Sequence, residues 1–270
     1  MIRHLLQLIW NQRKQNAWLW AELLLVSVFL WFLVDYLYVM GRTYTAPLGF
    51  DIRHTYSIVI SSLSERSPDY IPKEKRERPD GVHLLTALDR IRTYPGVESA
   101  CLTDGGMPYY MGSRNLVWRI DTLQVPCRYA FVTPEFFDVF RIYDKDGKTA
   151  SLKRAIEDNN SIVISADVET MNPGLSLLGQ KAYRGNVTDE IEETIRGISV
   201  PIRRHEYTKA EPNVYRALRL SRMEEGYYEG MIDAVRLCVR VRPDVDNADF
   251  PARFRKDMAE QLRLGNLYLL

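Results

Sequence analysis

The sequence predicts an α+β protein, with one transmembrane helix near the N-terminus followed by an extracytoplasmic α/β domain of βαβ-type units around a β-rich middle. Three observations predict it. Residues 17–41 form an apolar run long enough to cross a bilayer. Each end of the remaining chain carries a helical-period segment between two β-branched runs. Between those ends, β-branched and aromatic runs alternate with turn residues.

The apolar run reads AWLWAELLLVSVFLWFLVDYLYVM from Ala17 to Met40, with Glu22 and Asp35 placed toward opposite ends. At a rise of about 1.5 Å per residue it spans the roughly 30 Å hydrocarbon layer. Trp18 and Trp20 bracket one side, and Tyr36, Tyr38 and Tyr44 the other, as amphipathic rings do at membrane interfaces. Arg3, Arg13 and Lys14 precede the run and Arg42 alone follows it, which orients the N-terminus to the cytoplasm. A cleaved signal sequence fits poorly, because the run starts late and ends in Tyr-Val-Met-Gly-Arg rather than small residues. Residues 1–16 are amphipathic and suit a helix on the cytoplasmic membrane surface or against a cytoplasmic partner.

Hydrophobic residues make up 46% of the 270, enough to bury a sizeable core. The net charge of +1 carries no basic excess, which argues against a nucleic-acid binder. Cys101, Cys127 and Cys238 lack metal-ligand spacing and read as small buried hydrophobes, with one pair able to bridge in an oxidising compartment. Gly147-Lys148-Thr149 resembles the tail of a phosphate-binding loop, but Ile142 stands where its first glycine belongs. Asp144 to Gly147 reads as a turn rather than a calcium loop, since the glycine comes too early. Gly105-Gly106 with Tyr109-Tyr110, and Arg203-Arg204-His205-Glu206, read as a turn and a solvated loop. No catalytic, cofactor-binding or metal residue is expected, and no cofactor.

Outside the anchor, Tyr56–Ser61 reads as a strand and 65–80 as an exposed charged loop with Pro68, Pro72 and Pro79. A helix with Leu84, Leu85, Leu88 and Ile91 on one face stops at Pro95-Gly96 before a strand over Val97–Thr103. The middle offers strands at 116–120, 125–132, 161–165 and 195–202. Thr133-Pro134 is placed to start a helix as N-cap and N1, with Phe136, Phe137 and Phe140 packing inward. Near the end, Val235, Leu237, Val239 and Val241 alternate with Arg236, Arg240 and Arg242, predicting a strand with one basic face. A helix bearing Phe250, Phe254, Met258 and Leu262 follows, and then a strand at 266–270.

Four stretches carry a family resemblance: TALDRIRTYPGVESACLT (86–103), YAFVTPEFFDVFRI (129–142), SIVISADVETMNPGLSLLGQKA (161–182) and IRGISVPIRRHEY (195–207). In this order and spacing they resemble the MacB-like periplasmic core domain of ABC-transporter permeases, the group with MacB-, FtsX- and LolC/LolE-type subunits. The resemblance implies a cytoplasmic segment over 1–16, a transmembrane helix over 17–41 and a periplasmic domain over 42–270. Within that domain it implies a porter-like subdomain at 50–106 and 228–270 around an inserted β-rich subdomain at 107–227.

It further implies a permease-type subunit in a bacterial inner membrane, with no enzymatic role. Such a subunit would pair as a homo- or heterodimer and work with a separate cytoplasmic ABC ATPase. Family members continue into three more membrane helices, so the end at Leu270 suggests a truncated or partial permease. The alternative is a single-pass sensor or scaffold whose outer domain binds a ligand or protein.

Overall fold

The computed structural model describes residues 10, 17–110, 112, 114–185, 190–226 and 232–269. The chain divides into two compact units, residues 1–47 with 206–208 and residues 48–205 with 209–270. In the first, helix α1 (Ala17–Thr45) has a mean hydropathy of 2.2 over its most apolar window and buries none of its residues. It runs four residues past the expected boundary, and its last hydroxyl, on Thr45, donates back to the Gly41 carbonyl at 3.0 Å. Its length and composition suffice to cross a membrane. The amphipathic stretch expected over 1–16 lies, apart from Trp10, outside the described residues.

The second unit begins with β1 (Thr55–Ile58) and β2 (Ile60–Ser62), the expected 56–61 strand interrupted at Val59. Helix α2 (Asp80–Arg92) leads through a turn at Gly96 to β3 (Val97–Asp104). Gly96 has φ +96°, and a Cβ there would meet Val245 Cγ2 at 2.5 Å, so only glycine fits. Then come β4 (Arg114–Ile120), β5 (Leu123–Val132), the short helices α3 (Phe136–Val139) and α4 (Ala150–Ala155), β6 (Ser161–Ser165) and α5 (Asp167–Met171). The chain continues through β7 (Lys181–Arg184), β8 (Ile191–Ser199), β9 (Asn213–Ala217), α6 (Leu220–Glu224), β10 (Arg236–Val241), α7 (Phe250–Met258) and β11 (Leu267–Leu269).

Two architectures share one sheet. Strands β5, β4, β7, β8, β6 and β9 pair in that order, and β9 returns to pair in parallel with β5, closing a six-stranded ring. Beside it, β1, β10 and β3 form an antiparallel extension that joins through β3–β5. Strand β11 pairs with β2 where the β1–β2 chain continues, so the outer order is β11, β1/β2, β10, β3, a split βαβ arrangement. Strand β5 is the seam. Residues 123–129 of one edge pair with β4, and Phe131 and Val132 pair with β3.

Period-2 alternation builds the three cores. On β3 and β10, Ala100, Leu102, Leu237, Val239 and Val241 face a core with Leu84, Leu88 and Ile91 of α2, while Cys101 and Cys238 face the opposite side. That second core holds Phe136, Phe137, Phe140 and Tyr215, so the three phenylalanines do pack inward as expected. The ring interior is filled by Trp118, Ile120, Ile162, Ile164, Ile195 and Val214.

The Thr133 hydroxyl does not cap α3, whose N-cap position is Glu135. It accepts from the Leu102 amide at 3.1 Å, because β3 ends its pairing with β5 there and the amide needs a partner. Likewise β10 has no solvated basic face. It is an interior strand with both faces covered, and Arg240 is fully buried. The expected strand at 195–202 lies earlier, at Ile191–Ser199.

Candidate functional site

The segment that carries the chain into the second unit, residues 48–54, is fastened along its whole length. The Leu48 carbonyl accepts from the Arg203 amide at 3.0 Å, and the Asp51 amide donates to the Phe140 carbonyl at 2.8 Å. The His54 carbonyl accepts from the Val241 amide at 2.8 Å. Between them Gly49 adopts φ +84°, and a Cβ there would lie 2.1 Å from the Pro201 carbonyl oxygen.

Arg240 holds this segment from beneath. Its Nε donates to the Val139 carbonyl at 2.7 Å, Nη1 to the Arg53 carbonyl at 2.8 Å, and Nη2 to the Asp51 carbonyl. A planar guanidinium can serve three carbonyls at once, which a lysine ammonium on a flexible stem cannot match geometrically. Burial and the neighbouring Arg141 charge push the Arg240 pKa down, and Asp51 offsets part of that. On the surface above, Arg53 grips Asp51 through Nε at 3.1 Å and Nη2 at 2.8 Å. That hydrogen bonding lowers the Asp51 carboxyl to about 2.

A second fastening follows on β1. Asp246 accepts from Tyr56 Oη at 2.5 Å and lies 2.5 Å from His54 Nδ1. Burial, then the Asp246 hydrogen bond, pushes the Tyr56 phenol to about 12. Beyond it an apolar cleft of about 290 Å³ lies between β1 and α7, lined by Tyr56, Ile58, Phe250, Phe254 and Met258. The polar groups of this arrangement are committed to hydrogen bonds that fasten residues 48–56 to β10 and to Asp246. The alternation of 235–242 put Arg240 on a basic face, because its partners are carbonyls 101 and 187 residues away that leave no local pattern.

The motifs weighed as chemistry take structural places. The Asp144 carboxylate is occupied by the amides of Asp146 at 2.9 Å and Lys148 at 2.8 Å, the wiring of a turn. Gly105 and Gly106 both have positive φ, and a Cβ at Gly106 would meet Ala130 Cβ at 2.6 Å, so this turn is packed against β5. Arg203, expected in a solvated loop, is buried. Cys101, Cys127 and Cys238 are free and buried. Among the described residues no group of three or more His, Cys, Asp or Glu converges as a metal site.

No family model matches the sequence, and no curated protein matches it. Solved structures do. A domain of a protein described as a permease, from Porphyromonas gingivalis, aligns over 81% of this chain and 87% of its own length, with a TM-score of 0.51 and 17% identity. The extracellular domain of the noncanonic ABC-type transporter YknZ from Gram-positive bacteria aligns over 80% of this chain and its entire length, with a TM-score of 0.46 and 12% identity. The periplasmic region of MacB from Actinobacillus actinomycetemcomitans aligns over 85% and 93%, with a TM-score of 0.45 and 9% identity. The first of these shows the fold: this chain shares the α/β architecture of that domain, the fold that the sequence resemblance implied.

Proposed function

We propose that the chain is a permease-type subunit of a MacB/FtsX-like ABC system, its α1 in the inner membrane and its second unit on the periplasmic side. The observation that carries this reading is an apolar, membrane-length helix leading within three residues into a domain of permease fold. The tryptophan and tyrosine belts and the basic N-terminal flank support the orientation. On this reading, motion driven by a separate cytoplasmic ATPase reaches the outer domain as rigid-body displacement, with permease subunits acting as a homo- or heterodimer.

The fastened lead-in suits that role, since a slack segment would absorb displacement that a clamped one passes on. We assign the outer domain a porter-like part at 50–106 and 228–270 around an inserted part at 107–227. Support comes from the ring strands β4 to β9, all of which lie between Arg114 and Ala217.

Affinity purification of the tagged full-length chain from native membranes in mild detergent tests the reading. Recovery of an ABC ATPase subunit, in a complex that dissociates when α1 is replaced, is the expected outcome. A stable monomer that retains no ATPase would overturn it and favour the sensor or scaffold alternative.

A further inference from the structure

Three sulfur atoms meet on one side of the antiparallel extension. Cys101 on β3 and Cys238 on β10 are opposed in register, both are fully buried, and their thiols are in hydrogen-bond contact. The third sulfur belongs to Met107, whose Sδ accepts from the Cys238 thiol at 3.6 Å. The turn through Gly105 and Gly106, with φ of +85° and +70°, precedes Met107 and lets it pack on the core that holds both cysteines. Met107 is half-buried, so the cluster lies at the edge of that core, within reach of solvent. Among the described residues no imidazole or carboxylate completes a group with the two thiols.

Buried cysteine and methionine ordinarily serve as small or flexible hydrophobes. Two features set this trio apart. Its donors are all soft, thiol and thioether, and such sets select Cu(I) over harder divalent ions. The spacing also suits a shared metal. Metal–thiolate bonds of about 2.3 Å hold three sulfurs roughly 4 Å apart in a plane, close to the 3.6 Å between Cys238 and Met107. A disulfide needs about 2 Å. Structural Zn²⁺ takes four ligands, one more than converge at this point.

We propose that Cys101, Cys238 and Met107 bind one Cu(I) ion in a three-sulfur site. Binding breaks both S–H bonds, releases their protons to solvent and forms two Cu–S bonds, while the thioether donates a lone pair. Copper stays as Cu(I), so no oxidant or reductant is consumed. The product carries one net negative charge where two bare thiolates would carry two. Burial holds the Cys101 thiol protonated in the metal-free protein, so it yields to a thiophilic metal rather than to reagents that need free thiolate.

The test is anaerobic titration of the reduced full chain, in mild detergent, against the Cu(I)–bicinchoninate complex. Wild type withdraws one Cu(I) per chain and gains sulfur-to-copper charge-transfer absorption in the near ultraviolet. Cys238→Ala abolishes both. Met107→Leu, which keeps the volume of a half-buried side chain, weakens retention by roughly tenfold or more and serves as the second variant should the first misfold. Cys127→Ala, in the ring core, leaves both readouts unchanged. Failure of wild type to compete for copper, or wild-type retention in either Cys238→Ala or Met107→Leu, overturns the proposal. The readout involves no ATPase, so this proposal and the permease reading fail separately.

Discussion

Arg240 on β10 and Asp51 in the lead-in segment are joined through the main chain: the fully buried guanidinium donates to the Asp51 carbonyl as well as to those of Arg53 and Val139. Arg240→Met would leave three carbonyls short of a charged donor while removing a buried cation. Hydrogen bonds to charged groups contribute about 1.5–3 kcal/mol each, non-additively, so a net loss of roughly 2–4 kcal/mol is expected. Arg240→Lys should lose nearly as much, because one ammonium cannot reach all three oxygens. Thermal unfolding of both variants checks this, and wild-type melting temperatures in both would remove the clamp from the account.

Gly49→Ala attacks the same segment from the other side. The added methyl would sit 2.1 Å from the Pro201 carbonyl oxygen in a backbone conformation, φ +84°, that disfavours any Cβ. Backbone strain of this kind costs on the order of 1–3 kcal/mol before the clash is counted. Limited proteolysis should show the change as new cleavage within 48–54, with the ring strands still protected.

These two residues show how the fold divided between what sequence patterns reveal and what they hide. The membrane-length helix α1 was legible from its unbroken apolar run, and α2 with its Leu84–Leu88–Ile91 face, β3, β6 and the inward phenylalanines because apolar side chains at their positions are buried. Strands β7 (Lys181–Arg184) and β9 (Asn213–Ala217) were not, because KAYR and NVYRA put lysine, asparagine and arginine into ring positions. Arg216 is buried there only because Glu193, 23 residues earlier on β8, neutralises it. Arg240 was hidden for the same reason: its partners are carbonyls on segments 101 and 187 residues away. Long-range pairing of charge leaves no local pattern.

Glu193 is the prediction that follows. Glu193→Ala strands Arg216 and Arg184 beside each other in the ring, and breaking a buried pair from one side costs about 3–5 kcal/mol. Adding Arg216→Ala should restore part of the loss, giving a less-than-additive double variant. Chemical denaturation of the two single variants and the double variant measures the coupling; strict additivity would mean that the contact carries no energy.

The pH dependence of stability has two limbs with named owners. Asp51, held at about 2 against an ordinary 3.8, contributes stability that is fully present above pH 4 and lost as pH falls toward 2. Because Arg53 is largely exposed, high salt should weaken that contribution. Tyr56, raised to about 12 from 10, contributes stability present below pH 10 and lost between 10 and 12. Asp51→Asn should make the acid limb shallower and Tyr56→Phe the alkaline one, the latter also touching the acid limb because the Tyr56 hydrogen bond holds the Asp246 carboxyl below its ordinary value. Denaturation midpoints across pH measure both limbs in each variant, and an unchanged acid limb in Asp51→Asn would remove Asp51 from the account.

Cys101 and Cys238 face each other in register across β3 and β10, the one thiol pair the fold brings together. Both are fully buried, and burial followed by the Cys238 contact pushes the Cys101 thiol up. Burial alone takes Cys127 to about 12. Thiolate is the reactive form, so none of the three should react with Ellman's reagent in the native protein near neutral pH. Directly opposed strand residues hold their Cβ atoms about 4.5–5.5 Å apart, against a mean near 3.8 Å in disulfides, so bridging would draw β3 and β10 together. Arg240, two residues on, ties the same strand to the Val139, Arg53 and Asp51 carbonyls, which opposes that movement. Three thiols per chain should therefore titrate in guanidinium after purification without reductant. Recovery of one would show that an oxidising compartment supplies enough driving force to close the pair despite that resistance.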